Sequence, residues 1–450
     1  MFDPRPMLAP LEEAARTGPS EALESLHQAT LLRLEALPST DEIALTIAQV
    51  RLSRAGNLAL LGHHETAELL FAALHDALAA LPDRPAVRLQ QARLHANRAA
   101  NRIMLGQRDV ASNLLALAQD LFDELPDSQS IRLRRARVRS NRAGNLCALG
   151  RHDEAEAIYA QAQVLFDDLD AMRPMPVPGA RLRARRALNL AQAGRFEPAE
   201  ALYVQAQAVF DRQPDSEQSR LLRARVRANR AGNLDRAGHH AQAEPLYAVS
   251  QDLFDALADA KVRTLARARL RAERAGNLER WGQPMAADAL YAQALALIEN
   301  GPPERAGRRT LAGIAAARAD NLAAIGRFTD AEPHYARAQG LFDFERNAAL
   351  VRDERARVRA NRATGLSLAG EHAMAEVLFA QAQKLFDEGP PDADTLAQRA
   401  AVRRNRAMNL ESMDEHAQAQ VLLDEADALV GPQAGLPAGP PAQPSAGAGG

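Results

Sequence analysis

One beat organises this chain. Asn57, Asn101, Asn145, Asn189, Asn233, Asn277, Asn321 and Asn409 lie 44 residues, or a multiple of 44, apart. Gly365 fills the single gap, so nine units follow one another without insertion or deletion. A strict period of this length confines a chain to stacked repeats, because one unit is too small to bury its own apolar face. At 450 residues the chain is also too long for one ordinary core.

Other columns keep the same phase. Arginine stands three before each anchor, alanine two before it, and an aliphatic residue seven before it (Val50, Leu94, Val138 and so on to Val402). Glycine stands five after the anchor from Gly62 to Gly370, and Asp414 takes that place in the last unit. In residues 221–257, Leu222, Val226, Ala231 and Leu234 form one apolar stripe at helical spacing. Gly238 stops it, and Ala243, Leu246, Tyr247, Ser250, Leu253 and Phe254 form a second stripe. Short polar linkers such as residues 214–219 then combine a turn-forming proline with a serine able to cap the next helix. The expected unit is a helical hairpin, and the expected fold is an all-α, right-handed solenoid of nine stacked hairpins over residues 43–430. Residues 1–42 are expected to form capping helices, with residues 20–37 standing where a preceding second helix would fall. Residues 431–450, rich in proline, alanine and glycine, are expected to be disordered.

Composition narrows the function. Aromatics make up only 4% of the chain and hydrophobic residues 47%, so alanine and leucine must do most of the packing. The net charge of −2 gives no global field toward nucleic acid or membrane. Lysine occurs only at Lys261 and Lys384, so the positive charge is almost all arginine. Cys147 is the only cysteine, which excludes an intrachain disulfide and fits a reducing compartment. The first residues lack the apolar core of a signal peptide, and no stretch is long and apolar enough to span a bilayer, so the expected address is the cytoplasm.

Four segments carry a resemblance: GHHAQAEPLY (238–247), GRFEPAEALY (194–203), GRHDEAEAIY (150–159) and GEHAMAEVLF (370–379). With the small residue three after the aromatic (Ala162, Ala206, Ser250, Ala294, Ala338, Ala382) and the linker at 82–87, the chain resembles the tetratricopeptide repeat (TPR) family, in its longer, kinesin-light-chain-like branch. The resemblance covers about residues 43–430 and implies a TPR-like superhelix. Two departures stand out. The period is 44 residues rather than the 34 usual for the family, and arginine stands where the family usually has leucine.

That arginine column is Arg54, Arg98, Arg142, Arg186, Arg230, Arg274, Arg318, Arg362 and Arg406. It shares the core-side face with residues such as Val226 and Leu234, and a charge there needs a partner. The expectation is a structural ladder in which each arginine stacks on the tyrosine of its own hairpin and bonds its polar neighbours; for Arg230 these are Tyr247, Glu244 and Gln251. A second column, eight before the anchor, holds Arg93, Arg137, Arg181, Arg225, Arg269 and Arg357. Four before it stand Asn97, Asn141, Asn229, Asn361 and Asn405. The resemblance implies that this face is the concave one, where the family binds peptides. Arginine forks suit carboxylates and phosphates, and asparagine offers a peptide backbone both a donor and an acceptor. A merely solvated face is the alternative reading.

Carboxylates gather on the second helix: Glu156, Glu200, Glu244 and Glu376, with Asp123, Asp167, Asp211 and Asp255 at its end. A basic inner and a more acidic outer surface are therefore expected, each aspartate pairing with an arginine of the next unit. His64, His152, His240, His372 and His416 share a column with Phe196 and Phe328, which indicates a flat packing group rather than a metal ligand. Pro245 and Pro333 inside the second helix are expected to disturb it. No phosphate-binding loop, nucleophile motif or metal-protease motif occurs, and ninefold columns do not make a unique active site. The reading is a non-enzymatic scaffold, without cofactor or metal, that binds an extended acidic peptide segment of a protein partner. A nucleic-acid-binding solenoid is one alternative, disfavoured because the arginine face has no aromatics for base stacking. A self-assembling structural protein is the other, disfavoured by the atypical end units.

Overall fold

A computed structural model describes residues 5–172, 174–258, 263–299, 305–345, 351–390 and 392–430. Within them the chain forms twenty α-helices and no strand. Two compact units divide it, Met1–Pro214 and Asp215–Gly450. The first holds α1 (Arg5–Ala15), α2 (Glu21–Glu35), α3 (Asp41–Leu60), α4 (His64–Ala79), α5 (Pro85–Met104), α6 (Arg108–Asp123), α7 (Gln129–Ala148), α8 (His152–Met172), α9 (Pro176–Gln192) and α10 (Phe196–Asp211). The second holds α11 (Glu217–Arg236), α12 (His240–Asp255), α13 (Thr264–Arg280), α14 (Pro284–Glu299), α15 (Arg305–Ala324), α16 (Phe328–Asp343), α17 (Arg352–Leu368), α18 (His372–Asp387), α19 (Ala393–Glu411) and α20 (His416–Val430). From α3 onward consecutive helices pair as hairpins, and within each unit hairpins pack on their neighbours. The expected tail, residues 431–450, lies outside the described residues.

Each hairpin is closed by small residues meeting across the two helices. In α7–α8, Ala136 and Ala143 pack with Ala155 and Ala162, which lets the backbones approach closely. Tyr159 and Phe166 fill the remaining space, and Leu182 of α9 joins the same cluster, so one hairpin's core is completed by the next. A large buried side chain in such a layer is worth about 3–5 kcal/mol against alanine.

The hairpin turns share one device. The glycine after each first helix adopts positive φ, as at Gly150 (φ 76°) and Gly238 (φ 80°), and Asp414 does the same at φ 63°. This left-handed step lets the following N–H turn back: Arg151 N–H donates to the Leu146 carbonyl at 3.0 Å and His239 N–H to Leu234 at 2.8 Å. The first helices α3, α7, α11 and α19 start under side-chain caps, for example Ser128, whose hydroxyl accepts from Ile131 N–H at 3.2 Å. The helices α12 and α16 run unbroken through Pro245 and Pro333.

Candidate functional site

The ladder arginines reach backward. Arg274 Nε donates to Glu244 at 2.8 Å and its Nη1 to Gln251 at 3.0 Å, both on α12 of the preceding hairpin. Arg406 repeats this with Glu376 (2.7 Å) and Gln383 (2.8 Å), and Arg362 with Glu332 (3.0 Å) and Gln339 (2.8 Å). Arg98 holds Glu68, Arg186 holds Glu156, Arg318 holds Asp288, and Arg54 holds Glu24 on α2. Arg142 keeps only Gln119, at 3.0 Å, because Ser112 stands at the acidic step. Glu244 and Gln251 therefore serve the arginine of the following hairpin, not Arg230 of their own. Residues two before the anchor face their own second helix; one residue of rotation, about 100°, turns the arginine onto the flank that meets the previous hairpin. In α20 the acidic step is Gln420.

The anchor asparagines are a second inter-hairpin bond, which the sequence reading used only as a phase marker. Asn101 Nδ2 donates to the His64 carbonyl at 2.9 Å, and its Oδ1 pairs with His64 Nδ1 at 3.0 Å. Asn189 does the same with His152, and Asn409 with His372. Asn57 exchanges the same pair of bonds with the backbone of Ser20, so α2 is docked as a second helix would be. The histidine column is thus more than packing: its ring bonds the next asparagine. Where Gly365 replaces asparagine, the ring of Phe328 lies 3.9 Å from the glycine's Cβ position. A signal existed in the sequence, since histidine at one unit and asparagine at the next are always 37 residues apart.

The aspartates that end the second helices pair forward as expected: Asp123 with Arg139 at 2.6 Å, Asp343 with Arg359 at 2.7 Å and Asp387 with Arg403 at 2.9 Å. Their conflict with the helix dipole is offset by a further arginine. Arg135 donates to the carbonyls of Phe122 and Leu125, and Arg399 to those of Phe386 and Gly389, at 2.7–3.0 Å.

The remaining arginine and asparagine columns share one flank of the first helices. Arg137, Arg181, Arg225, Arg269 and Arg357 are exposed, as are Asn97, Asn141 and Asn405, while Arg93, Asn229 and Asn361 are half-buried. Arg93 bonds Gln90 at 3.0 Å, Arg269 bonds Thr310 at 2.9 Å, and Asn361 bonds Asp320 at 2.9 Å. Arg137 and Arg181 have no carboxylate partner among the described residues, and Arg185 bonds only Ser140, at 3.2 Å. These three line one cavity of 260 Å³ with Ser140 and Asn141. Beside it a cavity of 650 Å³ opens between α5, α7 and α9, walled by Ile103, Leu115, Leu188 and Tyr159. Burial and the neighbouring charge of Arg134 hold the Arg93 guanidinium below its usual pKa, and burial and Arg137 do the same to Arg134.

The same flank in the second unit is mixed in charge. Asp235, only 6% exposed, accepts from Arg280 Nε at 3.0 Å and pairs with His240 Nδ1 at 2.9 Å. Glu279 accepts from the Tyr291 hydroxyl at 3.1 Å, and Asp320 from that of Tyr335 at 2.6 Å. Burial pushes the carboxyls of Glu273, Glu279 and Asp320 above the usual range. These acids stand at variable steps of the repeat, one before or two after the anchor, or in place of the column asparagine, and no column announced them. Among the described residues no group of three histidine, cysteine or carboxylate side chains could hold a metal, and no helix is long and apolar enough to cross a membrane.

No protein-family profile matches the chain, and no curated protein does. Solved structures do. The apo form of the quorum sensor NprR from B. thuringiensis superposes with a TM-score of 0.53 at 13% identity, over 85% of this chain and 98% of that one. The apo form of RapI gives 0.56 at 10% identity over the same shares. The nearly identical TPR-like repeats of a putative kinesin light chain from Podosopora anserina align at 16% identity over 57% of this chain and 96% of that one, with a TM-score of 0.30 that adds nothing to the fold assignment. The chain has the tetratricopeptide-like α-solenoid fold.

Proposed function

We propose that this chain is a non-enzymatic scaffold that holds an extended, acidic segment of a partner protein along the arginine–asparagine flank of its first helices. The observation that carries this is Arg137, Arg181 and Arg185. In a chain that pairs arginine after arginine with a carboxylate or a helix end, these three line one cavity without any acid among the described residues. A guanidinium group left so is a standing offer to an anion. The columns spread over several hairpins, so weak contacts add along an extended ligand. NprR, whose apo form shares the fold, is also known in complex with its cognate peptide NprX. Glu68, Glu156, Glu244 and Glu376 and the histidines His64, His152, His240 and His372 are engaged in joining hairpins, which supports a role in holding rather than reacting. In the same reading α1 and α2 close the first hairpin's open side.

The test is affinity capture from the native cell with the whole chain and with an Arg137→Gln/Arg181→Gln/Arg185→Gln variant, with and without nuclease and at two salt concentrations. One protein recovered in stoichiometric amount, resistant to nuclease and lost with the variant, is the expected result. Recovery that nuclease abolishes would replace this reading with the nucleic-acid one.

A further inference from the structure

We propose that the first unit's cavities form a two-part site for a peptide bearing a carboxylate next to an apolar side chain, with the side chain in the larger cavity and the carboxylate on Arg137, Arg181 and Arg185. This rests on the peptide-binding reading above and gives it a ligand class.

The two cavities share Ser140, Asn141 and Arg185, so they are compartments of one depression. The larger has apolar walls, and its rim carries Leu60 and Met104, 73% and 67% exposed. Apolar side chains of that size left in water beside a hollow are an uncovered contact surface. At its base Tyr159 is 2% exposed, and its hydroxyl has no hydrogen-bond partner among the described residues. Of its equivalents, Tyr291 and Tyr335 each donate to a carboxylate of the protein, while Tyr247 shares the open state of Tyr159. A hydroxyl that faces the cavity without a partner on the protein is a donor open to whatever enters. A peptide carbonyl has the right chemistry.

The smaller compartment supplies the charge. The neighbouring acids are already engaged, Asp123 by Arg139 and Asp167 by Arg183. Among the described residues no carboxylate therefore pairs with the three guanidinium groups, and Arg93 and Arg134 extend the positive field along the same flank. A carboxylate is planar and accepts two parallel bonds from one fork, which suits this cluster. It can be supplied by a chain end or by an aspartate or glutamate side chain; the chemistry at the arginines is the same.

Two arrays of synthetic decapeptides distinguish the sources, one ending in a free carboxylate and one amidated with internal Asp or Glu, each probed with the full chain. Enrichment of Leu, Ile, Met or Phe beside the carboxylate is expected, in the first array if a chain end is bound and in the second if a side chain is. For the tightest peptide in solution, the triple Arg→Gln variant should weaken binding at least about tenfold, because several charge-assisted hydrogen bonds are lost. Ala148→Trp, placed to fill the larger cavity, should abolish the apolar preference while the acidic one persists. Helicity and melting of both variants are expected to match the unaltered chain. Peptides that bind without this signature, or with undiminished affinity for both variants, would overturn the two-part site and leave peptide binding standing. Arrays that capture nothing would overturn both readings.

Discussion

The flank of the first helices is built from the same columns in both units, yet it is two different surfaces. In the first unit the steps facing the tyrosines are small or apolar, Gly144 and Leu188 among them, and a hollow is left open with Tyr159 unpartnered below it. In the second, Glu279 and Asp320 occupy corresponding steps and take the hydroxyl protons of Tyr291 and Tyr335. These two hydroxyls are satisfied within the protein, whereas Tyr159 in the first unit and Tyr247 in the second have no hydrogen-bond partner among the described residues. A repeat array can thus hold its scaffold constant and write function into a few variable steps.

The comparison breaks first on binding. Replacing Arg137, Arg181 and Arg185 together by glutamine should cost at least about tenfold in affinity for an acidic decapeptide short enough to stay on the first unit's cavities, whereas Arg225→Gln/Arg269→Gln/Arg357→Gln should change it less than about twofold. Calorimetric titration of the two triple variants with one peptide decides this.

Acid should separate the units next. His95 is buried beside His75 and Arg98, and its pKa falls from 6.5 to about 4, so the fold favours the neutral ring. Its stabilisation is complete above pH 6.5 and is lost as pH falls toward 4; at pH 5 the loss is about 1–2 kcal/mol. The raised pKa values of Glu273, Glu279 and Asp320 act the other way, because protonation relieves buried charge as pH falls through their folded values. His334, lowered by burial, offsets part of that gain. Hydrogen exchange at pH 7 and pH 5 should show α4 and α5 losing protection while α13 and α15 hold or gain it.

Removing single hydroxyls sharpens the contrast. Tyr335→Phe strips a bond from the half-buried Asp320 and should cost about 1–2 kcal/mol, whereas Tyr159→Phe should be close to neutral. Thermal melts of the two variants check it. The smallest effect belongs to the last hairpin turn. Asp414→Gly removes an L-residue from positive φ and should stabilise α19–α20 by up to about 1 kcal/mol, read as slower exchange in α20.

Most of the scaffold was legible, because a ninefold repeat averages away local ambiguity. Glycine at Gly150 and Gly238 announced its turn, and the pairing of Asp123 and Asp167 with the next helix followed from charge and order alone. The register of the ladder did not. Hairpin logic set Glu244 against Arg230, whereas a rotation of one residue hands it to Arg274, and periodicity within one unit cannot show which neighbour a flank meets. Of the cavity lining only Arg137, Arg181 and Asn141 stood out in the sequence, while Arg185 took a place in the asparagine column and the walls come from several hairpins. The acids Asp235, Glu279 and Asp320 were hidden because they stand off the regular columns.

The backward reach of the arginine ladder makes the array directional. Each hairpin leans on its predecessor, so losing a hairpin from the front strands a cation, whereas losing one from the rear merely returns a carboxylate to water. Shortening from the two ends should therefore be unequal, with the rear the more forgiving. Gln420 takes this to its end: a further hairpin grafted after α20 would find an amide where its arginine needs an acid.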